Sequence, residues 1–214
     1  MNWSKFFHQF NPEMPGYAFF WLILVFLVIA IAIMIERFYY IWIRSNVNAE
    51  RFMGEIRKLV TAGDFKKAIA LCKAAGQKSL PLVVHKALII ADQSEIIDFR
   101  AVQNAVDEAF LEIVPRMQKR TGWLATFANV GTLTGLLGTI FGLIQSFEAM
   151  GAAGGGAEAL SQGIAVAMMT TLWGLVVAIP ALLAHTWITT KTQAIIDDID
   201  EHSVKLIHLL TGAR

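Results

Sequence analysis

The sequence predicts an all-α membrane protein with three transmembrane helices, and its composition is the first reason. Of the 214 residues, 56% are hydrophobic and only 16% are charged, and the mean hydropathy is +0.54. A soluble domain carries about 25% charged residues. The second reason is length: the apolar runs exceed the roughly 20 residues that a helix needs to cross a bilayer. No Lys or Arg occurs between Thr121 and Thr190.

Several classes of protein are disfavoured by the same numbers. The net charge of +1 provides no argument for nucleic-acid binding. Cys72 is the one cysteine, which excludes an internal disulfide and argues against a cysteine-rich metal site. No nucleophile–base pair or cluster of metal ligands is visible in the sequence. We therefore predict neither an enzyme nor a bound metal or cofactor.

The chain begins with an aromatic stripe. In residues 1–16, Trp3, Phe6, Phe7 and Phe10 recur at helical spacing, as in amphipathic segments that lie at a membrane surface. Residues 17–43 are the first predicted transmembrane helix. A signal peptide is the alternative, but the apolar core is too long, and charged residues rather than a cleavage site follow it.

Residues 44–121 are predicted to form a cytoplasmic helical domain. Apolar residues at helical spacing indicate short amphipathic helices over 52–60, from Gly63-Asp64 onward, over 82–90 and after Ser94. Helices of this size pack as a bundle. The last of them is expected to continue past Pro115 into the second span, because a proline is tolerated as a kink.

The remaining segments form a predicted membrane hairpin and a tail. Residues 122–150 are the second transmembrane helix, 151–159 a periplasmic turn, 160–190 the third transmembrane helix, and 191–214 a cytoplasmic C-terminal helix. Small residues recur on one face of each hairpin arm, which lets helix backbones approach closely in lipid. We expect contacts within the hairpin and between copies of the chain, giving a cyclic homo-oligomer. The predicted packing residues are Gly131, Gly135, Gly138, Gly142, Gly163, Ala167, Gly174, Ala178 and, as a kink, Pro180.

Lys and Arg predict the orientation. Segment 1–16 holds one of them, 37–120 holds fourteen, 143–162 none and 191–214 three. The positive-inside rule therefore places the large polar segment and the C-terminus in the cytoplasm. The N-terminus and the turn lie on the periplasmic side.

Hydroxyl and amide side chains are the polar candidates within the spans. No Asp, Glu, Lys or Arg lies deep in any span, although a proton pathway normally needs a titratable group there. If the chain conducts ions, a partner must therefore supply the carboxylate. The alternative is that each hydroxyl bonds a carbonyl of its own helix. The candidate pathway residues are Thr139, Thr171, Thr132, Thr170 and Asn129. His185 is a candidate pH-sensitive relay, or else an interfacial hydrogen-bonding residue.

Two motifs carry a resemblance to a known family. The segments Gly135–Phe147 and Gly163–Pro180 resemble the ExbB/TolQ/MotA family of inner-membrane ion-channel and stator subunits, and the three-span layout is most similar to ExbB and TolQ. The resemblance implies a pentamer around a pore in the bacterial inner membrane, in which Thr139 and Thr171 match the pore threonines. It also implies a single-span ExbD/TolR-like partner that brings a membrane Asp, and a TonB/TolA-like protein that transmits force.

Two departures from the family's pattern leave alternatives open. Val166 stands where many ExbB and TolQ proteins have Glu, and Gly131-Thr132 stands where many have Ala-Pro. The sequence thus predicts a channel subunit that couples ion flow to mechanical work across the envelope. A sodium-driven stator of the same fold and a non-conducting membrane scaffold are the alternatives. The process that is powered could be nutrient uptake, envelope maintenance, gliding or secretion.

Overall fold

The computed structural model describes residues 17–45, 48–76, 78–93, 97–153 and 157–212, and all regular structure in these ranges is helical. Residues 1–16, with the predicted amphipathic stripe, lie outside them. The helices are α1 (Tyr17–Tyr39), a π-helical turn (Tyr40–Ser45), α2 (Ala49–Thr61), α3 (Phe65–Ala74), α4 (Ser79–Gln93), α5 (Phe99–Gln118), α6 (Thr121–Ala153) and α7 (Ala157–Thr211).

Three helical stretches are long and apolar enough to cross a membrane. They are Tyr17–Ile43, Phe99–Gly151 and Leu160–Thr211. By length and composition, the predicted number of spans and the all-helical fold are confirmed. The chain divides into two compact units, which we describe separately: an apolar unit (17–36 and 120–187) and a polar unit (37–119 and 188–212, in their described parts).

In the apolar unit, aromatic rings and an ion pair join α1 to α6. The ring centroids of Phe19 and Phe141 lie 5.6 Å apart, and those of Phe26 and Phe127 lie 5.8 Å apart. Near the other end of α1, an Arg120 guanidinium nitrogen donates to both carboxylate oxygens of Glu36, at 2.8 and 2.9 Å. Ring contacts thus hold α1 against α6, and the ion pair holds α1 against Arg120, the residue that precedes α6.

The α6 and α7 backbones approach closely because glycines face each other. A Cβ on Gly135 would lie 2.8 Å from the carbonyl oxygen of Thr170, and a Cβ on Gly174 would lie 2.7 Å from the carbonyl oxygen of Gly131. Real side chains essentially never approach backbone atoms so closely. The small-residue faces therefore meet within one chain, and their predicted role between copies stays a prediction. Ala167 and Ala178 are also buried, whereas Pro180 is exposed.

The hairpin helices are longer than the sequence indicated. Residues 151–153 continue α6 and residues 157–159 already belong to α7, so most of the predicted turn 151–159 is helical. Alanine, the strongest helix former, occupies four of these six positions. Likewise α7 runs through Pro180 and past residue 190. The predicted C-terminal helix is thus a continuation of the third span and not a separate element.

The predicted unbroken passage from the fourth polar helix into the second span is wrong. Helix α5 ends at Gln118 and α6 begins at Thr121. Between them, Lys119 has ψ 135° and Arg120 has φ +64°, a conformation that costs about 1–2 kcal/mol for a residue with a side chain. Pro115 lies inside α5 without ending it. The break therefore falls at Lys119–Arg120 and not at the proline.

In the polar unit, four helices form at the predicted positions with one shifted start. Asn48 caps α2 by accepting a hydrogen bond from the Arg51 backbone N–H at 3.1 Å. Helix α5 is capped by Asp98, which accepts from the Arg100 N–H at 3.0 Å, so it begins later than the predicted cap. Ser94 itself lies outside the described residues. The fully buried core residues include Ile56, Val83, Val84, Leu88, Val102 and Met117.

The reactivity of the Cys72 thiol on α3 measures whether this core is packed. Its side chain is 2% exposed, and burial raises the pKa of its thiol to about 12. At pH 8 only about one molecule in ten thousand then carries a reactive thiolate, against about a quarter in an unfolded chain. We expect maleimide labelling of the folded protein at pH 8 to be at least about 100-fold slower than labelling in denaturant.

The matched control for this labelling is a cysteine at an exposed position of the same helix. In a Cys72→Ala background, Ala70→Cys provides one, because Ala70 is exposed. It should react rapidly in the folded protein. Equal labelling rates at the two positions would show that α3 does not bury Cys72.

Candidate functional site

Three threonine hydroxyls converge on one backbone carbonyl of the apolar unit. The Gly135 carbonyl oxygen lies 3.2 Å from Oγ1 of Thr139, 3.1 Å from that of Thr170 and 3.3 Å from that of Thr171. Thr139 is one turn further along α6, and the other two come from α7. We call this set, with the Gly135 carbonyl, the hydroxyl cluster. The absence of a side chain at Gly135 lets α7 approach closely enough to form it.

Within the cluster, Thr139 and Thr171 form a hydroxyl pair. Their Oγ1 atoms lie 3.0 Å apart, and the Thr139 hydroxyl also lies 2.7 Å from the carbonyl of Leu136. Each hydroxyl has one proton to donate and two lone pairs to accept with. If Thr139 donates to Leu136, Thr171 donates to Thr139, and both oxygens keep a free lone pair. Both side chains are half-buried. The pair therefore offers acceptors to an O–H group, a water or a cation.

Thr170 lies deeper than its neighbour. Its side chain is 1% exposed, and its hydroxyl donates to the carbonyl of Ala167 at 2.7 Å or to that of Gly135 at 3.1 Å. The sequence groups Thr170 with the pathway residues. The structure places it between α6 and α7.

The other candidate residues lie apart from the cluster's hydrogen bonds. Thr132 donates to the carbonyl of Ala128 at 3.0 Å, which is the local bonding expected of an isolated threonine in a helix. Asn129 is exposed and His185 is half-buried. A role of these three residues in an ion pathway stays a prediction.

Ser146 is a polar residue of the hairpin that the sequence reasoning missed. It is 6% exposed and donates to the carbonyl of Gly142 at 2.6 Å. A Cβ on Gly163 would lie only 1.7 Å from its oxygen. The signal was present: Ser146 continues the Gly131, Gly135, Gly138, Gly142 series by one further interval of four.

Formal charges in the apolar unit lie at the ends of its helices. Glu36 pairs with Arg120, and Glu148 is exposed near the end of α6. Among the residues that the structure describes, no group of three or more His, Cys, Asp or Glu side chains is placed to hold a metal ion. The hydroxyl cluster at mid-hairpin is built from uncharged hydroxyls and a backbone carbonyl.

Comparison with known proteins shows that this hairpin lies in a region that matches a known family. The sequence profile of the MotA/TolQ/ExbB proton channel family matches residues 78–201, which include the whole hydroxyl cluster. The chain belongs to this family. As a member of the MotA/TolQ/ExbB family with three apolar helices, it is a multi-pass membrane protein of a family of channel and transport subunits.

Named relatives point to the ExbB and TolQ branches. An ExbB homolog of Methanothermobacter thermautotrophicus is 28% identical over 89% of this chain and 66% of its own length. ExbB-like protein 3 of Synechocystis sp. is 30% identical over 75% of both chains. The Tol-Pal system protein TolQ of Haemophilus influenzae is 32% identical over 50% of this chain and 49% of its own length. The chain thus spans about half to three quarters of these relatives.

Proposed function

We propose that this chain is the channel subunit of an ion-driven motor complex, in which ions pass beside the Thr139–Thr171 hydroxyl pair. The ion flow would drive movement of a single-span ExbD/TolR-like partner, and a TonB/TolA-like protein would carry the resulting force across the envelope. The observation that carries this proposal is the hydroxyl pair itself, 3.0 Å across two helices, in a chain that matches a proton channel family.

The chemistry of the pair supports the proposal of a partner. Hydroxyls do not titrate near neutral pH, and from residue 121 to residue 190 the only formally charged side chains are Glu148 and Glu158, on either side of the hairpin turn. A carboxyl group from the partner would supply the titrating site. The pair accepts a hydrogen bond from the protonated carboxyl, and its protons can turn to stabilise the ionised form. Such contacts matter because an isolated buried carboxylate is costly.

The proposal extends to the architecture. Five copies would surround the partner in the inner membrane, with residues 44–121 and 191–214 in the cytoplasm and residues 1–16 and the hairpin turn on the periplasmic side. The distribution of Lys and Arg supports this orientation. Large apolar side chains on the outer faces of the hairpin, among them Leu137, Ile140 and Leu183, are exposed in the single chain. They are available for lipid or for neighbouring copies.

Two alternatives make different predictions. A non-conducting scaffold would assemble through the same helices but pass no ions. A sodium-driven stator of the same fold would use the hydroxyl pair and the partner's carboxylate to replace the water around Na⁺. Val166 stands where many ExbB and TolQ proteins have a Glu that a proton relay would use. In either case the titrating carboxylate would therefore come from the partner.

Partner dependence provides the test. The chain purified alone and the complex purified from host membranes through a tag on this chain are reconstituted into liposomes with a pH gradient. We expect proton flux from the complex and only background leakage from the chain alone. Flux is measured with a pH-sensitive dye inside the liposomes, and a protonophore at the end of each trace reports the remaining gradient.

The other outcomes separate the alternatives. Flux that follows a Na⁺ gradient and not the pH gradient would identify the sodium-driven form. An intact complex without flux of either ion would favour the scaffold. Strong flux from the chain alone would contradict the need for a partner, and would direct attention to Glu148 and His185 as titrating groups.

A further inference from the structure

The hydroxyl of Thr171 differs from its two neighbours in where its proton can go. Thr139 and Thr170 each have a carbonyl of their own helix at 2.7 Å, those of Leu136 and Ala167. The acceptors that the structure shows for Thr171 are both on α6: the Thr139 oxygen at 3.0 Å and the Gly135 carbonyl at 3.3 Å. The Thr171 hydroxyl therefore donates either to the Thr139 oxygen, within the hydroxyl pair, or to the Gly135 carbonyl.

The Gly135 carbonyl has room for only one of the hydroxyls. A carbonyl oxygen has two lone pairs, and in an α-helix one of them accepts the N–H four residues later, here that of Thr139. One lone pair remains for the three hydroxyls, those of Thr170 at 3.1 Å, Thr139 at 3.2 Å and Thr171 at 3.3 Å. The Thr139 hydroxyl has a closer acceptor in the Leu136 carbonyl at 2.7 Å. The Thr170 hydroxyl is buried, with its side chain 1% exposed, and lies within reach of two backbone carbonyls, that of Ala167 at 2.7 Å and that of Gly135 at 3.1 Å. Its one proton can be shared between them in a three-centre hydrogen bond.

We propose that Thr170 is a positioning residue for ion transfer: by sharing its proton with the Gly135 carbonyl, it keeps the Thr171 proton on the Thr139–Thr171 pair. Without a donor at position 170, the remaining lone pair of the Gly135 carbonyl would be open to the Thr171 hydroxyl, 3.3 Å away. The Thr171 hydroxyl would turn to it. The pair would then lose the proton with which it stabilises an ionised carboxylate. This inference rests on the proposed function of the pair.

The shape of the site makes this role specific to a small hydroxyl residue. A Cβ on Gly138 would lie 2.8 Å from both Cβ and Oγ1 of Thr170, so α6 covers this side chain closely. Thr→Val preserves shape and removes the donor, whereas Thr→Ser preserves the donor and removes a methyl group. A donor role and a packing role therefore predict opposite orders for the two variants.

The test compares Thr170→Val with Thr170→Ser in the complex purified from host membranes. Ion flux in liposomes should fall about fivefold or more in the valine variant, and the serine variant should keep at least about half. Native mass spectrometry checks that each complex assembles. Thr126→Val is the matched control, because the Thr126 hydroxyl donates to the Gly122 carbonyl of its own helix at 3.2 Å. The complex with this variant should show unchanged ion flux.

A double variant separates positioning from an independent effect. If Thr170 acts through Thr171, then Thr170→Val combined with Thr171→Val should conduct no less than Thr171→Val alone. A clearly lower flux in the double variant would overturn the proposal. So would normal flux in Thr170→Val, or a serine variant that performs worse than the valine variant.

Two further outcomes are decisive. If the Thr170→Val complex does not assemble, Thr170→Ala replaces it as the variant without a donor. If neither assembles while Thr170→Ser does, the Thr170 hydrogen bond is required for folding or assembly, and the positioning role is overturned. If Thr171→Val itself conducts normally, the proposed function of the pair fails. Loss of flux in Thr171→Val with normal flux in Thr170→Val rejects this inference alone.

Discussion

Replacing Thr139 or Thr171 by valine is expected to reduce ion flux through the assembled complex by at least about tenfold. Valine has nearly the shape of threonine, so the hairpin should still form. What is lost is one half of a hydroxyl pair whose oxygens lie 3.0 Å apart. A partner carboxylate beside a valine would have one polar neighbour fewer, and its ionised form would be less stable.

Serine is the matched control at each position, because it keeps the hydroxyl and loses only a methyl group. Flux of the serine variants should stay within about threefold of the unmodified complex. The measurement is dye-reported flux at equal protein content, with assembly checked by native mass spectrometry. If the Thr139→Val and Thr171→Val complexes, singly and together, assemble and conduct normally, the two threonines are packing residues only.

Gly174→Leu is expected to prevent stable association of α6 with α7. The Cβ alone would lie 2.7 Å from the Gly131 carbonyl oxygen and 3.2 Å from the Gly135 Cα. Both are backbone atoms of α6 and cannot rotate away, unlike the end of a flexible side chain. Overpacking typically costs about 1–3 kcal/mol, and we expect more here because the two backbones must separate. Oligomers that depend on the hairpin should be lost with it.

A graded series makes this prediction sharper. Gly174→Ala adds only the clashing Cβ and should lower the thermal midpoint of the detergent-solubilised protein. Gly122→Ala is the same chemical change on α6, at a glycine whose added Cβ would have nothing within 4 Å, and it should leave the midpoint nearly unchanged. A Gly174→Leu protein with an unaltered midpoint and oligomer mass would refute the close approach of the two helices.

The course of the helices was predictable only in part, because spans and helices follow different rules. Apolar length marks where a bilayer can be crossed, whereas a helix continues wherever backbone conformation permits. Helix α7 therefore continues past residue 190 into charged sequence, and α6 continues to Ala153. The break at Lys119–Arg120 depends on a left-handed φ at Arg120. The sequence did not indicate it, because Pro115 and Gly122, which lie nearby, are the residue types that more often interrupt a helix.

The membrane character, the three apolar segments and the small-residue faces were readable from the residues alone, and the resemblance of two motifs to a known family singled out Thr139 and Thr171. The first three of these features depend on composition and on helical periodicity, which are local properties of the chain. The packing of α7 against α6 was needed to see that Gly135 presents a carbonyl to three hydroxyls, and that Thr170 lies between the helices while Thr171 joins the pair. Adjacent residues on a helix point about 100° apart. Which α6 groups each of two neighbouring threonines contacts therefore depends on how α6 and α7 are rotated against each other, and that rotation is set by the backbone contacts at Gly131, Gly135 and Gly174.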